Sequence, residues 1–274
     1  MKNRAFILMM ALILVLGLLT GCGQKAAEEV PAEAPAENAE EIQEAAAELS
    51  LQGHSLMIYC GAGMANPFGE IAELFKTETG CEMNVSYANA GQIQSQINTS
   101  QEGDMFIAGS EVELKPVKDF VSASKPLVKH IPVLAVQAGN PKEINTLKDL
   151  TKEGVSFMMG DVDSTPIGKI AKKALGDAEI FNKVNIVATT TTAPQMATAI
   201  AAGEADAAII WKENCKADGV QITGEEDMAP YIKNIPAASL SCSADAEALA
   251  AFEEFLDTQA VKDIWLKYGY EIAE

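Results

Sequence analysis

The feature that most constrains the fold is a repeated alternation between short apolar runs, typical of strands, and amphipathic stretches of about ten residues, typical of helices. Such alternation favours parallel strands joined by crossover helices. The best-marked helix follows the first strand, since Asn66 can cap it, Pro67 suits its first turn and Gly80 can end it. The predicted strands are 55–60, 83–87, 104–108, 131–137, 155–159, 185–188, 207–211 and 237–241, and the further helices are 92–100, 167–175, 194–202, 244–258 and 261–268.

A short export-type segment precedes this region. Lys2 and Arg4 are followed by an apolar run, residues 5–19, and the segment ends in Leu19-Thr20-Gly21-Cys22. The run is shorter than the roughly 20 residues of a membrane-spanning helix, and a small-residue turn ending in cysteine is typical of a bacterial lipoprotein signal. We therefore expect residues 1–21 to be removed and Cys22 to carry a lipid anchor in the cell envelope, on the outer face of the cytoplasmic membrane or in the periplasm. A retained membrane anchor is the alternative.

Residues 22–48 form the predicted linker, because Ala, Glu and Pro dominate them and large apolar side chains are scarce. The remainder, from about residue 49, is long enough to build a sizeable core. The net charge of the chain is −19. Without Lys2 and Arg4 of the signal, and without the linker's net charge of −7, the folded part carries −14. A domain this acidic does not attract nucleic acid or anionic lipid through its overall field. Any anion must be held by local hydrogen bonds.

The cysteines beyond the signal give no indication of a metal or redox site. Cys60, Cys81, Cys215 and Cys242 lack the close spacings typical of zinc or disulfide-exchange motifs. Cys60 lies near the end of one predicted strand and Cys81 at the start of the next, which are opposite ends of a parallel pair. We expect free thiols, no metal and no cofactor.

Four strand-to-helix turns carry the strongest functional indication. They are small and polar, and they lack Lys and Arg until Lys169. In open α/β sheets, ligands bind beyond the carboxyl ends of the strands, where helix N-termini present backbone N–H groups and a partial positive charge. Together such turns can cradle a small anion; the alternative is that their Gly and Ala only close tight turns. The turns are 61–66, 88–92, 161–168 and 189–194.

Two other functions fit the sequence less well. Gly61-Ala62-Gly63 after a strand resembles the start of a dinucleotide-binding fingerprint, but Asn66 stands where the third glycine belongs and no acidic residue ends the second strand. The two histidines, His54 and His130, neighbour no nucleophile in sequence, which gives little support to a hydrolytic triad. We expect no catalysis.

Longer segments carry a resemblance to a known family. Residues 55–73, 80–97 and Gly103-Asp104-Met105-Phe106-Ile107-Ala108 are similar to the opening of the molybdate- and tungstate-binding proteins of ABC importers. The similarity covers nearly all of residues 53–272. It rests on the order and spacing of the motifs rather than on any single motif. It continues through Ala138-Gly139-Asn140-Pro141, Leu147-Lys148-Asp149-Leu150, Gly160-Asp161, Thr165-Pro166-Ile167-Gly168, Gly203-Glu204-Ala205-Asp206-Ala207 and Tyr268-Gly269-Tyr270.

The resemblance implies an α/β, two-lobed periplasmic-binding-protein fold of type II, with mixed, mostly parallel sheets and a cleft between the lobes. Lobe 1 would comprise residues 53–130 plus 228–274, and lobe 2 residues 131–227. The implied function is that of a monomeric, non-enzymatic receptor that captures a small oxyanion, molybdate or tungstate, and delivers it to an ABC permease in the membrane. The alternatives are a receptor for a different small anion or a chelated metal, and a ligand-sensing lipoprotein of the same fold.

The resemblance also implies which positions face the oxyanion. The family commonly has serine hydroxyls where this chain has Gly63 and Ala90, and commonly tyrosine where it has Trp211. The ligand-binding positions are then Gly63, Ala90, Ile167, Ala193 and Trp211, with Met64, Asn66, Asn89 and Gln92 as possible additional ones.

Overall fold

The computed structural model describes residues 50–216 and 218–274, so the predicted signal, Cys22 and most of the linker lie outside the described residues. No helix in the described ranges is long and apolar enough to cross a membrane. The strands are β1 (Ser55–Gly61), β2 (Glu82–Ala88), β3 (Met105–Ile107), β4 (Val121–His130), β5 (Pro132–Gln137), β6 (Phe157–Gly160), β7 (Ile186–Thr190), β8 (Ala207–Trp211), β9 (Val220–Thr223), β10 (Lys233–Leu240) and β11 (Glu271–Ile272). The α-helices are α1 (Ala65–Thr79), α2 (Ala90–Ser100), α3 (Pro166–Asp177), α4 (Ala193–Ala201), α5 (Glu225–Met228), α6 (Ala246–Phe255) and α7 (Gln259–Lys267).

The strands form two mixed sheets. The first has the order β11-β4-β10-β3-β1-β2 and the second the order β7-β6-β8-β5-β9. Parallel pairing joins β1 to β2 and β3, and β6 to β7 and β8. Antiparallel pairing is more extensive than the alternation of strands and helices predicts, because β10 and β5 each pair antiparallel on both sides. Both strands follow a connection that carries the chain from one sheet to the other.

All eight predicted strands are present, but β4, β9 and β11 were not predicted. β4 contains Pro126 and alternates poorly, since most of its first seven residues are exposed. Only the end of β4, at Val128 and Lys129, pairs with β11, so the proline lies where one side of the strand is open. A proline is tolerated at such an edge because no partner needs its missing N–H.

The first helix confirms one predicted boundary and corrects the other. Gly80 ends α1 in the left-handed conformation, with φ of 79°, and its N–H bonds to the carbonyl of Lys76. Asn66 does not cap the helix. A 3-10 turn, Ala62–Met64, runs directly into α1, and Asn66 lies exposed within the first turn.

Each sheet has its own hydrophobic core. Phe68, Phe75 and Phe252 pack under the first sheet through edge-on contacts, and Phe157 and Ile209 lie in the core of the second. The four cysteines of the described residues are free; Cys60 and Cys81 are buried, whereas Cys215 and Cys242 are partly buried. Burial raises the pKa of the Cys60 thiol and raises that of Cys215 to about 12, so neither is a reactive thiolate at neutral pH.

Candidate functional site

The carboxyl edge of the first sheet brings two predicted site residues together. Cys60 of β1 is the direct partner of Tyr87 in β2 and of Ile107 in β3. Gly63 and Ala90 each lie three residues beyond this row, in turns that leave the sheet side by side. Because parallel strands end at the same edge, the 3-10 turn before α1 and the N-terminus of α2 are neighbours.

Gly63 lies at this edge with free space around its Cα atom. It is exposed, and a Cβ built on it would meet no atom within 4 Å. Ala90, the first residue of α2, is partly buried. Neither residue supplies a hydroxyl, so the donors here are backbone N–H groups of a turn and of a helix start.

The structure shows a different role or place for each residue predicted as a possible additional ligand-binding position. Asn89 and Gln92 form a capping box, in which Asn89 Oδ1 accepts from the Gln92 N–H at 3.0 Å and Asn89 Nδ2 donates to Gln92 Oε1 at 2.6 Å. Met64 is buried in the core of the first sheet. Asn66 is exposed on α1. The structure therefore uses Asn89 and Gln92 to hold the start of α2.

The carboxyl edge of the second sheet assembles the other three predicted residues. Gly160 pairs with Thr190 at the ends of β6 and β7, and the Asp161 N–H bonds to the Thr190 carbonyl at 2.8 Å. α3 and α4 start beyond this point, and β8 runs parallel to β6 and ends at Trp211. Ile167, Ala193 and Trp211 thus lie at one edge.

Hydrogen bonds brace the turn before α3. Thr165 Oγ1 accepts from the Gly168 N–H at 3.0 Å and donates to the Asp161 carbonyl at 2.6 Å. Asp161 Oδ1 accepts from the Ser164 hydroxyl and N–H, and these bonds lower the pKa of Asp161. The Ile167 side chain is buried. Because a helix's first N–H groups have no partner within the helix, the Ile167 N–H at the start of α3 makes no bond inside that helix.

A cluster around His130 joins the two edges. His130 ends β4 and stacks on Trp211, with ring centroids 3.4 Å apart and ring planes 18° from parallel. Its Nδ1 lies 3.4 Å from the carbonyl oxygen of Gly109, which follows β3, and its Nε2 lies 3.3 Å from Glu213 Oε1. Burial and the Glu213 carboxylate raise the pKa of the neighbouring Tyr270. The loop after β3 and the end of β8 are therefore in contact through one imidazole.

Sequence reasoning missed this cluster. It left His130 without a role, because no nucleophile neighbours this residue in the sequence. His54, the other histidine, is a structural residue whose Nδ1 lies 2.9 Å from Asp245 Oδ2, next to the start of α6. The resemblance included the Tyr268-Gly269-Tyr270 motif and assigned the C-terminal segment to lobe 1, but it gave Tyr270 no place in the site.

Two cavities in the described part of the chain lie away from these edges. They have volumes of about 290 Å³ and 400 Å³, and none of their lining residues is a predicted site residue. The same ranges contain no group of three or more His, Cys, Asp and Glu side chains placed to hold a metal ion. The smaller cavity is lined by Met105, Ala123–Lys125, Ala237, Ser239, Glu253, Glu254 and Asp257, and the larger by Asn145, Thr146 and residues 222–227.

Two mixed sheets whose carboxyl edges gather helix N-termini define a class of ligand-binding α/β proteins. Residues 56–271 match the family described as bacterial extracellular solute-binding protein. The chain belongs to this family.

Individual relatives agree with that assignment. A putative binding protein of Haemophilus influenzae is 30% identical over 223 residues, which are 78% of this chain and 89% of the relative. The molybdate-binding protein ModA of Escherichia coli is 24% identical over 239 residues, 79% of this chain and 89% of the relative. The solved substrate-binding domain of a putative molybdenum ABC transporter from Clostridium difficile matches with a TM-score of 0.66 at 23% identity, covering 80% of this chain and 99% of that one. The resemblance and the predicted α/β periplasmic-binding-protein fold are confirmed. The prediction that the sheets are mostly parallel is wrong, because five of the nine strand pairings of the described residues are antiparallel.

Proposed function

We propose that this chain is the solute receptor of an ABC importer and that it captures a small oxyanion, molybdate or tungstate, without catalysing a reaction. One observation carries the proposal: the carboxyl edges of the two sheets are in contact through the stack of His130 on Trp211. Helices start at each of these edges and present backbone N–H donors there. Oriented backbone N–H groups and helix N-termini bind anions without a basic field. This suits a chain with a net charge of −19.

Binding by closure of two lobes follows from the same arrangement. The first sheet draws its strands from residues 55–130 and 233–272, and the second from residues 132–223. These ranges support lobe 1 as residues 53–130 plus 228–274 and lobe 2 as residues 131–227. Gly63 and Ala90 belong to the first, and Ile167, Ala193 and Trp211 to the second. A ligand that satisfies donors from both lobes stabilises the closed form, which then docks on the permease.

A second candidate ligand class is supported by Gly63 and Ala90 themselves. Each lacks a hydroxyl, and a hydrogen bond to a charged group contributes about 1.5–3 kcal/mol. The absence of two such donors favours a ligand other than molybdate, either a different small anion or a chelated metal. The relatives' names favour molybdate, and the ligand panel below separates the candidates.

Thermal unfolding of the full chain with a ligand panel tests the proposal. Molybdate or tungstate at about 100 times its dissociation constant should stabilise the protein by about 2.7 kcal/mol, because it binds only the folded state. The panel also contains sulfate, phosphate and metal chelates. A shift with sulfate, phosphate or a chelate alone would reassign the ligand, and no shift with any oxyanion at millimolar concentration would contradict the proposal.

Intrinsic fluorescence should report ligand binding through one residue. The chain has two tryptophans; Trp265 is enclosed in the core of the first sheet, whereas Trp211 stacks on His130 where the two edges meet. Closure alters this stack, so the ligand should change the emission of the wild type and of Trp265→Phe, but not that of Trp211→Phe. A ligand response that survives in Trp211→Phe would place the binding event elsewhere.

Attachment to the envelope through Cys22 is part of the proposal. The apolar run and the Leu19-Thr20-Gly21-Cys22 turn support it, as does the extracellular family. Mass spectrometry of the protein extracted from membranes should find a lipidated N-terminal Cys22, and Cys22→Ala should release the chain from the membrane fraction. An unmodified Cys22 in mature protein would contradict lipid anchoring.

A further inference from the structure

A third loop leaves the first sheet at the same edge as Gly63 and Ala90. Ile107 of β3 is the direct partner of Cys60, and Ser110 lies three residues beyond Ile107. Gly63, Ala90 and Ser110 therefore hold equivalent places after three adjacent parallel strands, each three residues beyond the row of Tyr87, Cys60 and Ile107. Of these three positions, only that after β3 carries a hydroxyl.

Ser110 is unusual among the buried polar side chains of the described residues. Four are buried: Asp104 (4% exposed), Ser110 (5%), Thr165 (7%) and Ser239 (5%). Asp104 accepts from the Met57 N–H at 2.6 Å, Thr165 accepts from the Gly168 N–H, and the Ser239 hydroxyl donates to Glu253 Oε1. The Ser110 hydroxyl bonds to no described residue, and it makes no cap to the segment Glu111–Phe120 that follows it. Among the described residues, the fully enclosed side-chain atoms without a partner are Thr223 Oγ1 and Trp265 Nε1, so the Ser110 hydroxyl keeps access to solvent. It is therefore a free hydrogen-bonding group that a ligand can reach.

The contacts of Gly109 hold this loop against the second edge. The Gly109 N–H donates to Glu113 Oε2 at 2.8 Å, which occupies that donor and one oxygen of the nearby carboxylate. The Gly109 carbonyl oxygen lies 3.4 Å from His130 Nδ1, and His130 stacks on Trp211. Ser110 thus directly follows Gly109, whose carbonyl oxygen lies against the imidazole that stacks on Trp211.

We propose that the Ser110 hydroxyl donates a hydrogen bond to the captured oxyanion and replaces a hydroxyl that Gly63 and Ala90 do not supply. The proposal rests on the proposed function and names one determinant of its ligand. A hydroxyl that meets a charged oxygen makes a stronger bond than one between neutral groups. The loop after β3 then contributes to ligand choice together with the turns after β1 and β2.

Ser110→Ala tests this assignment in the full chain, with molybdate and tungstate as probes in calorimetric titration. The affinity of whichever anion binds the wild type should fall about 10- to 100-fold, as expected for one charged hydrogen bond. The melting temperature of the ligand-free protein should stay the same, because the substitution removes no hydrogen bond to a described residue. Ser95→Ala, an exposed serine on α2, is the matched control and should bind as the wild type does.

Three results would overturn the assignment of Ser110, and only the third would also contradict the proposed oxyanion function. Wild-type affinity in Ser110→Ala would overturn it and leave the receptor function standing. A ligand-free melting temperature that falls in step with affinity would show that the hydroxyl is a structural group, again without touching the function. Absence of binding to the wild type itself would remove both the oxyanion function and the role of Ser110.

Discussion

Gly168→Ala is expected to lower the melting temperature by about 6–12 °C and to abolish anion binding. A Cβ at Gly168 would lie 2.3 Å from the carbonyl oxygen of Asp161 and 2.4 Å from that of Gly160, both backbone atoms that a side-chain rotation cannot move. Overpacking of this severity costs about 3 kcal/mol, and about 2–4 °C of melting temperature is lost per kcal/mol in a domain of this size. The turn that aims the Ile167 N–H has to shift as well. Calorimetric unfolding and titration with the anion measure the two effects.

Gly176→Ala provides the control within the same helix. A Cβ at Gly176 meets no atom within 4 Å, and the residue lies inside α3. Alanine is the better helix former, so this variant should be more stable by about 0.5–1 kcal/mol and should bind normally. Normal anion binding by Gly168→Ala would show that the start of α3 is not part of the ligand site.

Adding back the missing hydroxyls should tighten molybdate binding. Gly63→Ser places a side chain in open space, since a Cβ there meets nothing within 4 Å and the residue is not among those with positive φ. Ala90→Ser adds one oxygen at the start of α2. Each new hydroxyl that reaches the oxyanion should raise the affinity about tenfold or more, because a bond to a charged acceptor contributes at least about 1.5 kcal/mol. Calorimetric titration of the two single variants and the double variant measures this gain.

Gly63→Ala distinguishes the effect of an added hydrogen-bond donor from the effect of added side-chain volume. It introduces the methyl carbon without the hydroxyl, so it should leave the affinity for molybdate unchanged or slightly weaker. Equal affinities of the serine and alanine variants at residue 63 would mean that this turn does not face the ligand. The predicted assignment of Gly63 would then fail, while the place of Ile167 and Ala193 would be unaffected.

Local sequence signals predicted most elements of the fold correctly. Gly80 ends α1 as expected, because a glycine adopts φ of 79° without the strain that a side chain would add. Strands β1 and β8 occur within a residue of their predicted ends, since continuous apolar runs mark buried strands. β4 escaped prediction because its largely exposed, proline-containing stretch, residues 121–126, is ordered by its antiparallel partner β10 rather than by its own pattern.

The candidate site was predictable only in part, for a similar reason. The small turns after β1, β2, β6 and β7 were visible because Gly, Ala and Thr at strand ends have local meaning. From the sequence alone, Asn89 and Gln92 fitted either ligand binding or helix capping, and only the structure shows that they form a capping box. Ser110 carried no signal, since its place after β3 and its lack of a bond to any described residue become visible only in the folded chain.

By itself, the sequence determined the alternation of strands and helices, the small donor-bearing turns, the acidic charge and the family. These features depend on periodicity and turn chemistry that act over a few residues. Only the tertiary structure decided which strands are neighbours, that Gly63, Ala90 and Ser110 share one row, and that His130 stacks on Trp211. Such contacts join residues far apart in the chain, and they arise from the burial of whole sheets and helices, which no short stretch of sequence encodes.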